Sequence, residues 1–519
     1  MRHTCTVCFS LIILIETSTG YTYHNSRRDL FIPKVSNRIT KLNYENKKPP
    51  IDTDIVNYFK NIRENFPFFK KENCPIYFDN AATTQKPSCV IRKLNDFYTK
   101  ENANIHRGIY KMSLDATKNY ENVRSVVKNY INCENEEEII FTSGTTHGLN
   151  LICNMMMDKV IKKKEDEIHL TYLEHHSNII PWQEGIHKKK KGKIKYIPLR
   201  RSGYINIKKL KKSINKNSKI ISISHASNVL GNIQKLDIII KTVREINQDI
   251  IIIIDAAQSF PHIKYNIKKM EENNSSPDIL IASGHKFCAP LGSGFIYIKR
   301  TLTRRYKFRP LFYGSNIITN VDKYKSEFVS SPHLFESGTQ NIAGIISMGV
   351  AIQFLQNLNP KFVYLYEMYL YDLFIYYLHE NLQQNLVQLP HTNNPLDKQL
   401  SENEERTNHE EPSEFKIYVH NSRKVGQKKV PIVPLWSNKF TSFDLVTFLD
   451  FKNVCIRSGH HCASLLLKEF LHISNCARIS IFFYNTPEEI HYLATQIASV
   501  SRMLYRIKEG KHTQPREIF

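Results

Sequence analysis

Short apolar runs alternate with longer helical patterns along most of the chain, and this alternation favours an α/β fold with a largely parallel sheet. The clearest predicted strand is residues 250–254, which are all isoleucine, as expected of a central strand covered on both faces. Three other predicted strands end at polar or glycine-containing turns: residues 139–142, 220–224 and 279–282. Because ligands bind beyond the carboxyl ends of the strands in such sheets, the residues after these four strands are candidate site residues.

The pattern changes in the last third of the chain. Residues 391–413 contain almost no apolar side chains, and we interpret them as a disordered surface insertion. Helices rich in tyrosine and leucine precede this stretch, and the strand-like residues 415–419 follow it. The sequence therefore predicts a large α/β domain over residues 51–349 and a smaller α+β domain over residues 350–519.

The first fifty residues have the composition of a leader. A basic start is followed by a short apolar run, residues 7–15, and then by small residues, which is the order of a secretory signal. Residues 21–50 are basic and poor in acidic side chains. We predict a signal peptide over residues 1–20 and a transit-like segment over residues 21–50, with a buried N-terminal strand as the alternative. The apolar run is shorter than the about 20 residues that cross a bilayer, and no transmembrane segment is predicted.

The formal net charge of +23 raises the question of nucleic-acid binding. Much of the charge lies in lysine-rich stretches such as residues 188–195 and 208–219, which contain no aromatic side chains for stacking on bases. No zinc-finger spacing or RNA-binding signature accompanies them, so we interpret the charge as a solvated surface and predict no nucleic-acid partner. The 10 cysteines are scattered over 519 residues and do not form a disulfide framework.

Two residues at the ends of predicted strands suggest a cofactor. Lys286 follows residues 279–282, and Asp255 directly follows the isoleucine run. A lone lysine after a strand is usually a solvated loop residue, but a carboxylate at the end of a buried strand is costly unless it meets a cation or hydrogen-bond donors. Pyridoxal phosphate needs both groups. A carboxylate keeps its ring nitrogen protonated, and a lysine amine forms a Schiff base with its aldehyde.

Two further segments fit the same ligand. Residues 143–148, Ser-Gly-Thr-Thr-His-Gly, lie between a predicted strand and a predicted helix, and a turn that opens a helix presents N–H groups to an anion. A capping turn without a ligand is the alternative, and the segment matches neither nucleotide-binding fingerprint. His175 carries an imidazole that could stack on a flat ring. Together the four segments predict a site for a flat phosphorylated aldehyde.

Cys462 is set apart from the other cysteines by its neighbours in the segment Arg-Ser-Gly-His-His-Cys, residues 457–462. The arginine, glycine and histidines favour a reactive thiolate on an exposed turn. An inert buried cysteine and a metal site are the alternatives. No second ligand pair stands nearby at zinc-finger spacing, so we predict no metal.

These segments, in this order, resemble the fold-type I pyridoxal-phosphate enzymes of the aminotransferase class V group, over residues 55–390 and 414–505. The resemblance implies a large domain with a mainly parallel, seven-stranded type of sheet. It also implies that Lys286 binds the cofactor covalently, that Asp255 pairs with the ring nitrogen, and that His175 stacks on the ring and moves protons. The other cofactor-binding residues that it implies are Gln258 at the ring hydroxyl, Thr145, Thr146, Ser283 and His285 at the phosphate end, and Thr339 from the second subunit of a homodimer.

The segment around Cys462 resembles the active-site loop of the SufS-type cysteine desulfurases, which convert L-cysteine into L-alanine and a protein persulfide. The resemblance implies that Cys462 accepts the sulfur and that Arg478 binds the substrate carboxylate in a bidentate manner. Asn228, His106 and Arg107 match positions on the substrate side. A SufE-type protein would accept the sulfur for iron–sulfur cluster assembly. Selenocysteine lyase, or another class V lyase, is the alternative.

The two-part leader adds a location to this interpretation. A signal followed by a basic transit-like segment resembles the leaders of proteins sent to the relict plastid of apicomplexan parasites. The resemblance implies a plastid (apicoplast) enzyme that works without residues 1–50.

Overall fold

The computed structural model describes residues 48–389, 415–421 and 429–510. The predicted signal peptide, almost all of the transit-like segment and the predicted insertion at 391–413 lie outside the described residues. Those interpretations, and the division into domains at residue 350, stay predictions.

The bounds of the regular elements follow in chain order. The strands are β1 (Ile76–Tyr77), β2 (Ile139–Thr142), β3 (Glu167–Thr171), β4 (Lys193–Ile197), β5 (Ser218–Ser224), β6 (Ile251–Asp255), β7 (Ile279–Ser283), β8 (Gly294–Ile298), β9 (Ile318–Val321), β10 (Ser326–Phe328), β11 (Leu386–Leu389), β12 (Ile417–His420), β13 (Ile432–Ser437), β14 (Val454–Cys455), β15 (Arg457–Gly459) and β16 (Cys476–Ser480). The α-helices are α1 (Thr53–Arg63), α2 (Ser88–Asp96), α3 (Lys111–Ile131), α4 (Thr145–Lys159), α5 (Ile180–Lys189), α6 (Ile207–Ser213), α7 (Leu236–Ile246), α8 (Ile267–Glu272), α9 (Arg300–Tyr306), α10 (Ile342–Gln356), α11 (Pro360–Leu382), α12 (Ser442–Asp450) and α13 (Pro487–Lys508).

A seven-stranded sheet forms the larger part of the fold, in the order β2-β8-β7-β6-β5-β3-β4. Its neighbours are parallel except at β8, which runs antiparallel to both β2 and β7. Every residue of β6 is buried, as its unbroken isoleucine run predicts for a central strand. The fold-type I α/β architecture is therefore confirmed, and the carboxyl ends of β5, β6 and β7 lie side by side.

The bounds of the central strand differ from the sequence prediction. The central strand includes Asp255, because that residue still pairs with Ile281 of β7. Gly294 is the first residue of β8. The backbone of the sheet leaves no room there, since a Cβ on Gly294 would lie 2.7 Å from the carbonyl oxygen of Ala282 and 2.8 Å from Cα of Gly144.

A second sheet of five strands, in the order β11-β12-β13-β16-β15, is mostly antiparallel and is formed by residues 386–480. Its buried side chains, among them Val433 and Ile479, belong to the same apolar core as Ile221 and Ile252 of the seven-stranded sheet. Helix α10 crosses the predicted domain boundary at residue 350. The two sheets therefore share a core at the place where residues of the C-terminal part approach β5 and β6.

The start of the described chain packs against its end. Strand β1 pairs with β14 in parallel, and Asp79 forms a bridge with Ser480 next to it. Helix α1 buries Phe59 in the core, and Arg63 at its end forms a 2.6 Å ion pair with Glu489 of α13. The N-terminal segment is thus built into the fold.

Among the described residues, no single helix is long and apolar enough to cross a membrane. One pair of helices, Ile342–Gln356 and Pro360–Asn385, meets the criterion jointly by length and composition only, with a bend of 83° between them.

Candidate active site

A cavity of about 340 Å³ opens at the carboxyl ends of β5, β6 and β7. It brings together side chains from the large sheet, from the segment after β1 and from the loop after β15. The predicted site residues that line it are Thr145, Thr146, His175, Asn228, Asp255, Gln258, Ser283, His285, Lys286, Cys462 and Arg478. Residues far apart in the sequence therefore form one site.

One end of the cavity has the features of an anion site. Helix α4 begins at Thr145, directly after Gly144, whose φ of 142° favours glycine. The Thr145 N–H donates to Ser283 Oγ at 2.8 Å, which ties the helix start to the end of β7. Thr145 Oγ1 and His285 Nδ1 are buried without a hydrogen-bond partner among the described residues. Unpaired polar atoms beside a helix N-terminus fit the phosphate of pyridoxal phosphate.

Lys286 and Asp255 give the centre of the cavity its chemistry. Burial lowers the pKa of the Lys286 amine to about 8, although Asp255 opposes the shift, so a useful fraction of the amine is uncharged near neutral pH. An uncharged amine is the form that adds to an aldehyde. Burial raises the pKa of Asp255, while Lys286 and a 2.9 Å hydrogen bond from the Ala257 N–H favour its ionised form. A protonated pyridine nitrogen would supply a further cation to this carboxylate.

His175 lies in the cavity as a neutral ring. Its pKa is lowered to about 3, mainly by burial and to a smaller extent by the charge of Lys286. Its Nδ1 accepts the Ser177 N–H at 3.1 Å, which places the ring proton on Nε2. Ser177 Oγ is also 2.7 Å from Thr146 Oγ1, so the same serine connects the predicted ring-stacking and phosphate residues.

The Cys462 loop is held in an uncommon conformation. His461 and Cys462 both have left-handed φ angles, 51° and 54°, which cost on the order of 1–3 kcal/mol for residues with side chains. Hydrogen bonds hold the loop there: the His176 N–H donates to the Cys462 carbonyl at 2.7 Å, and Asn228 Nδ2 donates to the His461 carbonyl at 2.7 Å. The turn leaves Cys462 partly exposed at the cavity.

A metal-like cluster occurs beside this loop, because His176 approaches His460 and Cys462 with potential ligand atoms within 4.8 Å of one another. Both imidazoles already accept backbone N–H groups. His460 Nδ1 accepts from Cys462, and His176 Nε2 accepts from Ser464, each at 3.1 Å. A neutral imidazole has one accepting nitrogen, so the second nitrogen of each ring carries a proton. The two remaining ring nitrogens are therefore N–H donors near the thiol, and as such they have no free lone pair with which to bind a metal.

Arg478, on β16, is held by a carboxylate that our sequence analysis did not assign. Asp79 accepts from Arg478 Nη2 and from Arg457 Nε, both at 3.0 Å, and so bridges the two guanidinium groups. Arg478 Nη1 donates to the Asn228 carbonyl at 3.3 Å, and its buried Nε has no partner among the described residues. Burial lowers the pKa of Arg478, and Asp79 counteracts that shift. No motif in the sequence analysis singled out Asp79.

Three predicted site residues do not line the cavity: His106, Arg107 and Thr339. His106 has a φ of 74°, and its Nε2 lies 3.9 Å from Glu121 Oε1. Arg107 and Thr339 are exposed. In a single chain these residues are therefore separate from Lys286 and Cys462.

Comparisons with known proteins identify the family of this chain. The chain matches the family model described as Aminotransferase class-V over residues 76–401 and 401–493. It is 59% identical to the cysteine desulfurase SufS of Plasmodium vivax, over 98% of this chain and 100% of that protein. It is 55% identical to the cysteine desulfurase SufS of Plasmodium falciparum (isolate 3D7), over 98% of this chain and 99% of that protein.

Solved structures extend the comparison to the fold. The apo structure of the cysteine desulfurase from Thermococcus onnurineus NA1 superposes with a TM-score of 0.70 at 27% identity, covering 89% of this chain and 99% of that one. The cysteine desulfurase CsdA from Escherichia coli, at 23% identity and a TM-score of 0.70, supports the fold alone; it covers 86% of this chain and 98% of its own. The chain therefore belongs to the aminotransferase class V family, within its pyridoxal-phosphate-dependent cysteine desulfurases of the SufS type.

Proposed function

We propose that this cavity is the centre at which sulfur passes from L-cysteine to Cys462. The observation that carries the proposal is that Lys286, Arg478 and Cys462 line one cavity although they come from distant parts of the chain. One small amino acid bound in this cavity could then reach three groups: the cofactor linked to Lys286, the guanidinium group for its carboxylate, and the nucleophilic thiol.

When bound, pyridoxal phosphate supplies an aldehyde for amines and a ring that accepts an electron pair from the substrate. Lys286 would hold it covalently, and Asp255 would keep its ring nitrogen protonated. Gln258 Nε2 donates to the Ala81 carbonyl at 2.8 Å, which leaves the amide oxygen to accept from the ring hydroxyl. The Thr145 and His285 atoms without partners, with Thr146 and Ser283, would bind the phosphate.

The substrate's path follows from the same residues. Arg478 would bind the carboxylate of cysteine, and Lys286 Nζ, once released from the cofactor, would take the proton from Cα. The Cys462 thiolate then attacks the substrate sulfur: an S–S bond forms, the Cβ–S bond breaks, and its electron pair stays with the carbon fragment. Two protons convert that fragment into alanine: Lys286 Nζ returns the one taken from Cα, and the proton released when Cys462 became a thiolate supplies the second. Cys462 keeps the sulfur as a persulfide.

Trapping the persulfide tests this proposal. Protein beginning at residue 51, loaded with pyridoxal phosphate, is mixed with L-cysteine, alkylated and digested for mass spectrometry. We expect one additional sulfur atom on the Cys462 peptide, with one alanine formed for each persulfide, and the same result in the control variant Cys89→Ser. Alanine formation with no sulfur on Cys462 would refute the proposal. Much faster turnover of selenocysteine under the same conditions would identify the alternative activity.

The Asp79 bridge leads to a separate prediction. In Asp79→Asn the side chain is neutral and has one acceptor oxygen, so it can no longer bridge both guanidinium groups, and Arg457 and Arg478 repel each other. We expect the KM for cysteine to rise about tenfold, which corresponds to about 1.4 kcal/mol of lost binding, with kcat changed by less than about threefold. Steady-state kinetics measure both constants. Asp249→Asn, at an exposed ion pair with Arg305, is the matched control; an unchanged KM in Asp79→Asn would contradict the assigned role.

The residues outside the cavity support a homodimer. Beside His106 and Arg107 lie exposed apolar side chains, including Ile109, which is 92% exposed, and Leu114, which is 55% exposed. Such a patch is typical of a protein contact. A second copy would cover the patch and bring Thr339 to the phosphate end of the neighbouring site. Light scattering should give a mass of two chains for the wild type and a lower mass for Ile109→Lys; a wild-type monomer at working concentration would contradict the dimer.

The acceptor and the location complete the proposal. A SufE-type protein would take the persulfide sulfur for iron–sulfur cluster assembly, and residues 1–50 would direct the enzyme to the apicoplast. The similarity to the SufS proteins of Plasmodium supports both statements. Turnover that does not increase with a SufE-type acceptor would refute the first statement. A fluorescent protein carrying residues 1–50 that stays in the parasite cytosol would refute the second.

A further inference from the structure

Glu174 is a buried carboxyl group directly next to His175 that none of the steps above uses. Its side chain is fully buried, and it accepts four hydrogen bonds. Oε1 accepts from Thr171 Oγ1 at 2.6 Å. Oε2 accepts from Asn178 Nδ2, from the Ser224 N–H and from Ser224 Oγ, each at 2.7 Å. These donors are all uncharged, so the carboxyl group is solvated by dipoles without a paired cation among its hydrogen-bond partners.

The position of Glu174 connects it to the cofactor site. Ser224, which gives two of the hydrogen bonds, is the last residue of β5 and pairs in register with Asp255, the last residue of β6. Asn178 is fixed in turn by Ser222 Oγ at 2.5 Å and by the indole N–H of Trp182 at 3.3 Å. Glu174 therefore belongs to a buried polar network anchored on β5, the strand next to the one that carries the carboxylate for the ring nitrogen.

The charge of Glu174 changes in the range where the enzyme would work. Burial raises its pKa to about 7, the hydroxyl and amide donors oppose the rise, and the nearby charge of Asp255 adds to it. Asp255 on β6 and Tyr196 on β4 are the titratable groups coupled to it, and Glu174 contributes to the raised pKa of Tyr196. If this residue only had to connect strand ends by hydrogen bonds, a glutamine would serve equally well. Its neutral amide avoids the free-energy cost of burying a charge.

We propose that Glu174 is a positioning residue that acts as a second buried negative charge behind Asp255, holding the His175 segment in place and stabilising positive charge on the cofactor bound at Lys286. This inference rests on the proposed function, because it requires the cofactor to be linked to Lys286. Glu174 touches neither the substrate nor the reacting atoms in this arrangement, so its effect is electrostatic and passes through the Asp255–Lys286 pair.

The variant Glu174→Gln separates charge from hydrogen bonding. The amide oxygen can accept from Asn178 and Ser224, and the amide N–H can donate to Thr171 Oγ1, so all four contacts have a counterpart and only the charge is lost. We expect the pH midpoint of the visible absorbance change of the bound cofactor to fall by about one unit, because a nearby negative charge favours the protonated, cationic form. Glu184→Gln, on the exposed face of α5, is the control and should leave the midpoint unchanged.

A second measurement uses the protein without cofactor. Glu174 has a folded-state pKa of about 7 against an ordinary value of 4.5, so the stability that its neutral form contributes is full below pH 4.5 and is lost as the pH rises through about 7. The difference in unfolding temperature, Glu174→Gln minus wild type, should therefore increase between pH 4.5 and 7. Above pH 7 this difference should stay constant. If that difference were the same at every pH from below 4.5 to above 7, Glu174 would not titrate in this range, and the inference would be wrong.

The outcomes distinguish this inference from the proposed function. An unchanged absorbance midpoint in Glu174→Gln, with normal persulfide formation on Cys462, overturns the role of Glu174 alone. Loss of persulfide formation in the wild type overturns the proposed function instead. Should the glutamine variant fail to fold, Thr171→Val removes one donor and leaves Glu174 less ionised near neutral pH. The absorbance midpoint should then fall in that variant as well, and an unchanged midpoint would overturn the inference.

Discussion

Replacing Lys286 with alanine is expected to abolish cysteine turnover, with kcat lower by at least about 10⁴-fold. On the proposed roles, the variant loses both the amine that would hold the cofactor and the base that would take and return the proton. Among the described residues, no other lysine lines the cavity. Arg478 and the phosphate-end residues are left intact, so residual cofactor can still bind without a covalent link. Alanine formation and the visible absorbance of the purified protein measure the two losses together.

Lys268→Ala, on the exposed face of α8, is the matched control for Lys286→Ala and should keep both activity and absorbance. Added primary amines offer a further check, since a small amine could restore part of the proton transfer but not the covalent link. Turnover of Lys286→Ala within tenfold of the wild type would show that another residue holds the cofactor.

Replacing Cys462 with alanine should separate sulfur transfer from cofactor binding. Cys462 lies on the loop after β15, and the groups that would hold the cofactor come from β5, β6, β7 and α4. We therefore expect the visible absorbance to be unchanged while sulfide and alanine production fall by about 10³-fold or more, since the acceptor of the sulfur is lost. Cysteine should still perturb the absorbance of the variant, because Arg478 still binds its carboxylate.

The comparison variant for Cys462→Ala is Cys455→Ser, which lies on the neighbouring strand β14 and outside the cavity lining. It should turn over cysteine at the wild-type rate. Normal alanine production by Cys462→Ala would mean that the substrate sulfur leaves without attack by this thiol, and a different class V lyase reaction would describe the enzyme.

The sequence was sufficient for those parts of the site that depend on local pattern. A buried β-branched run followed by Asp255, and a glycine–threonine turn before an apolar helix, can be identified because strand ends and helix starts have local signatures. The central strand was predicted one residue early, since the pairing of Asp255 with Ile281 is a contact between distant residues. The leader and the predicted insertion lie outside the described residues.

The parts that could not be predicted depend on contacts across the fold. Asp79 has no local signature, and its role appears only where it meets Arg457 and Arg478. His176 approaches the Cys462 loop through its backbone N–H, which no sequence motif encodes. Glu174 would be taken for an ordinary surface glutamate from its neighbours in the sequence, and only the closure of β3 against β5 buries it.

The packing of the N-terminal segment against the end of the chain limits how far the chain can be shortened from its start. Removal of helix α1 would disturb the fold, because Phe59 is buried in the core and Arg63 is paired with Glu489. Trimming as far as Asp79 would also release the bridge that orients Arg478. A chain shortened that far is therefore expected to lose folding stability and substrate recognition together.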